Sequence, residues 1–256
     1  MRSADGEWSK VLTLNDFFIR GFIREALESG VGRGGLLLDV GCGMRPYESL
    51  FRQYHVRTVG LDVTKDGSVA DVVADAKRLP FDQDAFELVL CSEVIEHLDD
   101  YDGVIEEIAR VLQPGGILII TWPFIYSLHD IPADYNRFTE FGMERNLKRH
   151  GLEIVKLRRR GDSLGVLHTI VGQYGCGLME ALVRIPLVGV LVRPLQRLFE
   201  WLVIATYWIH YAVIRRFKRL NPGAVGEGLR GIPGALTLWT LGYCGLARKV
   251  GVACRS

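Results

Sequence analysis

Residues 36–50 read LLLDVGCGMRPYESL, and this stretch decides the fold. A short, almost uniformly apolar run is the mark of a strand covered on both faces, as in parallel sheets. It ends in Asp39 and Val40 and opens into Gly41-Cys42-Gly43. Glycines at such a place let the backbone turn tightly and let a ligand approach it. A dinucleotide fingerprint would continue Gly-x-Gly-x-x-Gly. Its third glycine falls on Pro46, so that pattern fails and a nicotinamide-dependent oxidoreductase is disfavoured.

Working outward, the spacing of apolar residues predicts a helix over 11–29, ended by Gly30, Gly32, Gly34 and Gly35. A second helix is expected over 46–54, with Pro46 in its first turn, where proline is tolerated. Further strands are expected over 56–63, 69–76, 85–91, 117–123 and 152–158, with a seventh in 235–249. A helix over 103–112 carries Val104, Ile105, Ile108, Ala109 and Leu112 on one side and is stopped by Pro114-Gly115-Gly116. Thr139 can cap a helix running to His150. Strands alternating with helices indicate an α/β fold with a mostly parallel sheet and helices on both faces. Ligands of such sheets bind beyond the carboxyl ends of the strands. The residues there are Asp39 to Gly43, Asp62, Asp75, Cys91 to Glu93, and the segment from Pro123.

Asp62 closes the second strand, where an acid can accept hydrogen bonds from ribose hydroxyls. Asp75 closes the third, where a carboxylate can accept from an adenine amino group. Three acids at three strand ends suit a nucleoside carrying positive charge better than a diphosphate. The segments LLLDVGCG, VGLDV, VVADAKRLPFDQDAFELVLCSEVIEHL and IARVLQPGGILIITWPF, in that order over residues 36–124, resemble the class I S-adenosylmethionine-dependent methyltransferases, specifically the type 11 domain family. The resemblance implies a Rossmann-like seven-stranded sheet whose last strand is antiparallel. It implies that Asp39, Gly41 and Gly43 line the methionine end, Asp62 holds the ribose, Asp75 meets the adenine, and Cys91 and Ser92 offer backbone near the sulfonium. Cys42 and Ala76 complete that cofactor-binding set. Small-residue packing is the competing role for Cys42 and Cys91.

The sulfonium is a good leaving group, so the protein mainly has to place a nucleophile in line with the methyl. A hydroxyl nucleophile also needs a base. His97, after the fourth strand, is a candidate base, with helix-terminal packing as its alternative. After the fifth strand, His129, Asp130, Asp134, Tyr135, Asn136 and Arg137 crowd one loop. His129, Asp134, Tyr135 and Arg137 join His97 as candidates for the chemistry, and an ordinary packed loop is the alternative.

The net charge of +1 hides an asymmetry. Residues 1–140 hold 13 Lys/Arg and 24 Asp/Glu, a difference of −11; residues 141–256 hold 18 and 6, a difference of +12. Five cysteines (Cys42, Cys91, Cys176, Cys244 and Cys254) without a Cys-x-x-Cys argue against a disulfide framework and a cysteine zinc site, and no metal is expected. No signal-peptide pattern is visible at the N-terminus, so a cytoplasmic location is expected, with the inner face of a membrane as its elaboration.

A methyltransferase domain is expected over 1–161 plus 236–250, and an apolar helical insertion over 162–235 separates the last two strands. The cleanest apolar run, Trp201–Ile214, has 14 residues. A spanning helix wants roughly 20. Arg215, Arg216, Lys218 and Arg219 follow it. Aromatic residues beside a cationic cluster suit a helix lying in a membrane interface. A buried layer, a homo-oligomer contact and a true span are the alternatives. The expected activity is methyl transfer from S-adenosylmethionine to an O or N atom of a small-molecule, glycan or lipid-linked acceptor. A non-catalytic cofactor-binding or scaffold protein is the rival reading. Nucleic acid is not the expected acceptor, because Cys91-Ser92-Glu93-Val94 stands where an Asn-Pro-Pro-Tyr-like motif would.

Overall fold

The computed structural model describes residues 9–185, 188–220 and 240–250. The chain divides into two compact units: residues 17–160 with 242–256, and residues 1–16 with 161–241.

The first unit is built on a seven-stranded sheet. Its strands are β1 (Leu36–Val40), β2 (Arg57–Asp62), β3 (Val72–Val73), β4 (Phe86–Ser92), β5 (Leu112–Pro123), β6 (Leu152–Arg160) and β7 (Gly242–Lys249). They lie in the order β3-β2-β1-β4-β5-β7-β6. β1 to β5 pair in parallel, and β7 runs antiparallel between β5 and β6. The strand order reverses beside β1, so the first strand's loop opens at the switch point where ligands of such sheets bind.

Alternation along the strands sorts the core into two layers. Leu37, Leu88, Leu90, Ile117 and Ile119 pack with Ile19, Phe22, Ile23, Leu50 and Phe51 on one face. Those partners lie on α1 (Ser9–Glu28) and α2 (Glu48–Gln53). Leu38, Val40, Val89, Leu118, Ile120 and Trp122 pack on the other face with Val104, Ile105, Ile108, Met143 and Leu147. These belong to α3 (Tyr101–Val111) and α4 (Glu140–Arg149). Asp100 and Thr139 cap α3 and α4 by accepting from Gly103 N and Gly142 N.

Three expected boundaries are corrected. β3 is two residues long instead of eight: Ala74 N still donates to Asp62 O at 3.0 Å, and the chain then turns, Arg78 N donating to Asp75 O at 3.0 Å. α2 begins at Glu48, two residues after Pro46. Pro114-Gly115-Gly116 lies inside β5 instead of between helix and strand: Phe86 pairs with Leu112, the register then shifts, and Leu88 pairs with Ile117. A bulge absorbs the extra residues. The part of the expected seventh strand over 235–239 falls outside the described residues.

The second unit holds α5 (Ser163–Val183) and α6 (Val188–Leu220), which pack on each other. Asp162 caps α5 by accepting from Gly165 N. Gly175 lets the pair approach, since a Cβ there would stand 2.2 Å from Phe199. Among the described residues no helix is long and apolar enough to cross a membrane. Pro194 sits early in α6, which nonetheless runs 33 residues in all.

Candidate functional site

The loop after β1 is held by its neighbours at every step. Cys42 N donates to Leu61 O at 3.0 Å, and Gly43 O accepts from Val69 N at 2.9 Å. Gly43 N donates to Asp62 Oδ2 at 2.9 Å, while Asp62 Oδ1 accepts from Val63 N at 2.8 Å. Gly41 has φ +65° and Gly43 φ +48°, the left-handed region that favours glycine. A Cβ on Gly41 would lie 2.5 Å from Val94 Cγ2, whereas one on Gly43 would meet nothing within 4 Å. The first glycine makes room for the protein and the second leaves open space.

Arg45 ties this loop to the β2 side. It donates to Thr58 Oγ1 at 3.0 Å and pairs with Asp71 at 3.0 Å, whose carboxylate also accepts from Gly60 N. Asp39 is buried, and that burial pushes its carboxyl up to about 7, with the Arg45 charge opposing and Asp62 adding to the rise. Cys42 and Cys91 are buried thiols that burial pushes upward, Cys42 to about 11. They act as small packers and not as reactive thiols. Asp75 is exposed and turns back to accept from Lys77 N, with Ala76 half-buried beside it.

At the end of β4, Ser92 Oγ lies 2.9 Å from Thr121 Oγ1. Thr121 Oγ1 donates to Glu93 Oε1 at 2.9 Å, so Ser92 is the donor of the first bond. Glu93 also pairs at 3.0 Å with Arg160, which is fully buried at the end of β6. Glu93 lies among the strand-end residues expected near a ligand, whereas nothing in the sequence points to Arg160.

A second polar group follows on the single turn Ile95–His97. Glu96 is 1% exposed, and its carbonyl accepts from Tyr135 N and Asn136 N, which returns the loop after β5 onto this turn. His97 Nδ1 lies 2.6 Å from Ala133 O, and His129 Nδ1 lies 3.2 Å from Asp134 Oδ2. Both Nε2 atoms stand 3.8 Å from Glu96 Oε1, with the rings edge to face at 4.8 Å. Arg137 grips Asp134 through two nitrogens at 2.5 and 2.7 Å, and this bond holds the Asp134 carboxyl down to about 2. Burial pushes the Glu96 carboxyl up, while the Glu96 carboxylate holds the His129 imidazole above its ordinary value.

The structure thus brings His97, His129, Asp134 and Arg137 together around Glu96, a residue that sequence reasoning had not singled out. Arg137 acts on Asp134 and so positions the group. Tyr135 enters through its N–H; its side chain is exposed.

A Rossmann-like sheet in this strand order, with a glycine loop at the switch point and an acid at the next strand end, defines a class I nucleoside-cofactor domain. A family model described as "Methyltransferase domain" matches residues 38–120. That match covers the sheet strands from β1 to β5, and the seven-stranded sheet has the Rossmann-like methyltransferase order. Methyltransferase GfsG of Streptomyces halstedii is 34% identical over 106 residues, covering 35% of this chain and 38% of that one. The ubiquinone biosynthesis O-methyltransferase of Rhodopseudomonas palustris (strain HaA2) is 27% identical over 123 residues, covering 43% of this chain and 49% of that one. The chain therefore spans less than half the length of each of these relatives. Among solved structures, the [4+2]-cyclase SpnF is similar with a TM-score of 0.53 at 20% identity, over 90% of this chain and 81% of that one. That likeness concerns the fold alone, and a cyclase on it means that the fold by itself does not dictate methyl transfer.

The residues present fit the cofactor of this class. The open space at Gly43 admits a ligand against the backbone, and each Asp62 oxygen keeps a lone pair beyond its one described bond. Asp39, buried and left with a destabilised negative charge, suits a cationic ligand.

Proposed function

We propose that the protein transfers the methyl group of S-adenosylmethionine to an oxygen or nitrogen of a small-molecule, glycan or lipid-linked acceptor. The observation carrying this is the glycine loop whose second glycine is backed by open space and bonded to Asp62. Gly41, Gly43, Asp39 and Asp62 hold the cofactor, with Asp75 and Ala76 at its adenine end and the Cys91–Ser92 backbone near its reactive end. When bound, the cofactor supplies an electrophilic methyl on a neutral leaving sulfide.

The chain's remaining task is the acceptor's proton. Asp134 holds His129 by Nδ1, which leaves Nε2 as the atom that can take a proton from a hydroxyl. The Glu96 carboxylate then stabilises the imidazolium. His97 is fixed in the same way by Ala133 O. Arg137 keeps Asp134 ionised and in place.

The relatives' names refer to sterol, tRNA and ubiquinone, so the acceptor is argued from this chain. Exposed apolar residues on α5 and α6, among them Tyr174, Leu191, Trp201 and Ile209, accompany exposed Arg193, Arg197 and Arg216. This combination favours a lipid-linked acceptor met at an anionic membrane surface.

The test is calorimetry with the cofactor and its demethylated product, followed by transfer of radiolabelled methyl into fractionated cell extract. Binding plus label in the lipid fraction supports the reading. Binding without label in any fraction favours the scaffold reading, and absence of binding overturns both.

A further inference from the structure

We infer that Glu96, His97 and His129 form a divalent-cation site beside the cofactor loop, with open positions for oxygen atoms of the acceptor. This deepens the methyl-transfer reading and rests on it only for the identity of the incoming oxygen. The three donor atoms, Glu96 Oε1 and the two Nε2 atoms, lie within 4.8 Å of one another. The turn that carries Glu96 and His97 is fastened to the cofactor loop by the contact of Val94 with Gly41.

Two further observations point to an occupant. First, both Glu96 oxygens are buried and hydrogen-bonded to nothing in the described structure. A buried carboxylate without a hydrogen bond is strongly unfavourable, so its persistence calls for a counter-charge, either a bound cation or an imidazolium at 3.8 Å. Second, both imidazoles are set up to offer Nε2. A carbonyl oxygen only accepts, so His97 Nδ1, 2.6 Å from Ala133 O, carries the hydrogen. His129 Nδ1 faces the Asp134 carboxylate, which Arg137 holds through two nitrogens. A carboxylate or carbonyl on the far nitrogen is how metal-binding histidines are oriented. With both rings neutral, two Nε2 lone pairs stand 3.8 Å from a carboxylate oxygen, an arrangement that a bound cation or protonation of a ring relieves.

Two nitrogens and one oxygen suit a borderline divalent cation such as Zn²⁺ or Co²⁺ better than Mg²⁺, which favours oxygen ligands. Bonds of about 2.0–2.2 Å place neighbouring donors about 3–3.5 Å apart. The two separations from Glu96 Oε1 are 3.8 Å and all three donors lie within 4.8 Å, so binding a cation draws them together by about 1 Å. Asp130, whose carboxylate is 3.9 Å from His97 Nε2 and largely exposed, stands at the rim. Occupied, the cluster lowers the acceptor's pKa by charge, in place of proton transfer to His129.

The experiment uses the full chain, stripped with a chelator and titrated with Co²⁺ and, separately, Zn²⁺ by calorimetry and visible absorption. One Co²⁺ per chain is expected, with d–d absorption. Glu96→Gln and His129→Ala should each lower affinity at least tenfold, and Asp134→Asn about 10–100-fold, as loss of an orienting partner does. His129→Ala removes a half-buried side chain and serves as the ligand variant should Glu96→Gln fail to fold. Failure of the wild type to bind either cation overturns the site, and the cluster is then an imidazolium–carboxylate pair. Unchanged affinity in folded variants overturns it equally. Binding of the demethylated cofactor product to chelator-treated wild type is measured in parallel. Its loss would sink the methyl-transfer reading while leaving the cation result to stand on its own.

Discussion

The carboxylate of Asp62 accepts the backbone N–H of Gly43 at 2.9 Å, across 19 residues of sequence. One side chain therefore shapes the glycine loop and, in the proposed binding mode, also meets the ribose. Asp62→Ala should weaken binding of cofactor or product on the order of 1.5–3 kcal/mol, the value of hydrogen bonds to a charged group. That is roughly tenfold to a hundredfold in dissociation constant by calorimetry. The variant should also melt earlier, because Gly43 N loses its partner. Unchanged affinity would remove Asp62 from the site.

The two glycines of the loop should fail in different ways. Alanine at Gly41 puts a Cβ 2.5 Å from Val94 Cγ2, so the clash exists without any ligand. Its φ of +65° adds conformational strain of about 1–2 kcal/mol. Gly41→Ala should lose stability on the order of 2 kcal/mol or more, and Val94→Ala in the same chain should recover part of it. Alanine at Gly43 meets open space, so the free protein loses only the conformational strain. Its cofactor affinity should fall much further than its stability does. Equal melting temperatures for the two single variants would contradict this division.

Burial raises the Asp39 carboxyl to about 7 in the ligand-free chain. The unfolded value is about 3.9. A folded pKa above the unfolded one stabilises the fold fully below the unfolded value and loses that contribution as pH rises through the folded value. The ligand-free protein should therefore lose stability between about pH 4 and about pH 7, with a plateau above. Asp39→Asn carries no such charge. It should gain stability relative to wild type across that window, by a few kcal/mol at most, while losing affinity for the cationic cofactor. Denaturant titrations at pH 4 and pH 8 decide it. A constant difference between variant and wild type across the window would mean that Asp39 is not held above its ordinary range.

The parts legible in the sequence were those with local causes. β1 shows as an apolar run because it is buried on both faces, and α4 shows because Thr139 accepts from Gly142 N three residues on. Gly41, Gly43 and Asp62 show because strand ends in such sheets are where ligands meet backbone. β3 is shorter than its sequence suggests because Val69-Ala70 and Ala74-Asp75 have strand-like alternation, but only Val72 and Val73 complete the ladder with β2, their neighbours making isolated bonds. Pro114-Gly115-Gly116 looks like a stop in one dimension, and only the pairing of Phe86 with Leu112 reveals a bulge. Glu96 was passed over because its burial is nonlocal: Tyr135 and Asn136 close over it from nearly forty residues away. Its chemistry lies in a buried carboxylate with no hydrogen bond and two imidazoles nearby, a combination that no residue type announces.

The exposed faces of α5 and α6 lead to the last prediction. α6 carries Trp201, Leu202, Trp208, Ile209 and Val213, each more than 40% exposed, and its C-terminal turns contain Arg215, Arg216, Lys218 and Arg219. So many large exposed apolar groups on one helix suit an interaction surface, and beside a basic cluster we predict that surface to be a membrane interface. Each basic residue near an anionic surface contributes about 1 kcal/mol, so four should give binding that weakens as salt rises. The apolar face should add a part that salt does not remove. Wild type should co-sediment with vesicles rich in anionic lipid at low salt and partly release at high salt. Changing the four basic residues to Gln should remove the salt-sensitive part and leave the rest. Trp201→Ser with Ile209→Ser should do the reverse. If wild type stays in the supernatant at low salt, the face is a contact between copies of the chain or with another protein. Sedimentation equilibrium separates those two, and the acceptor is then to be sought among soluble molecules.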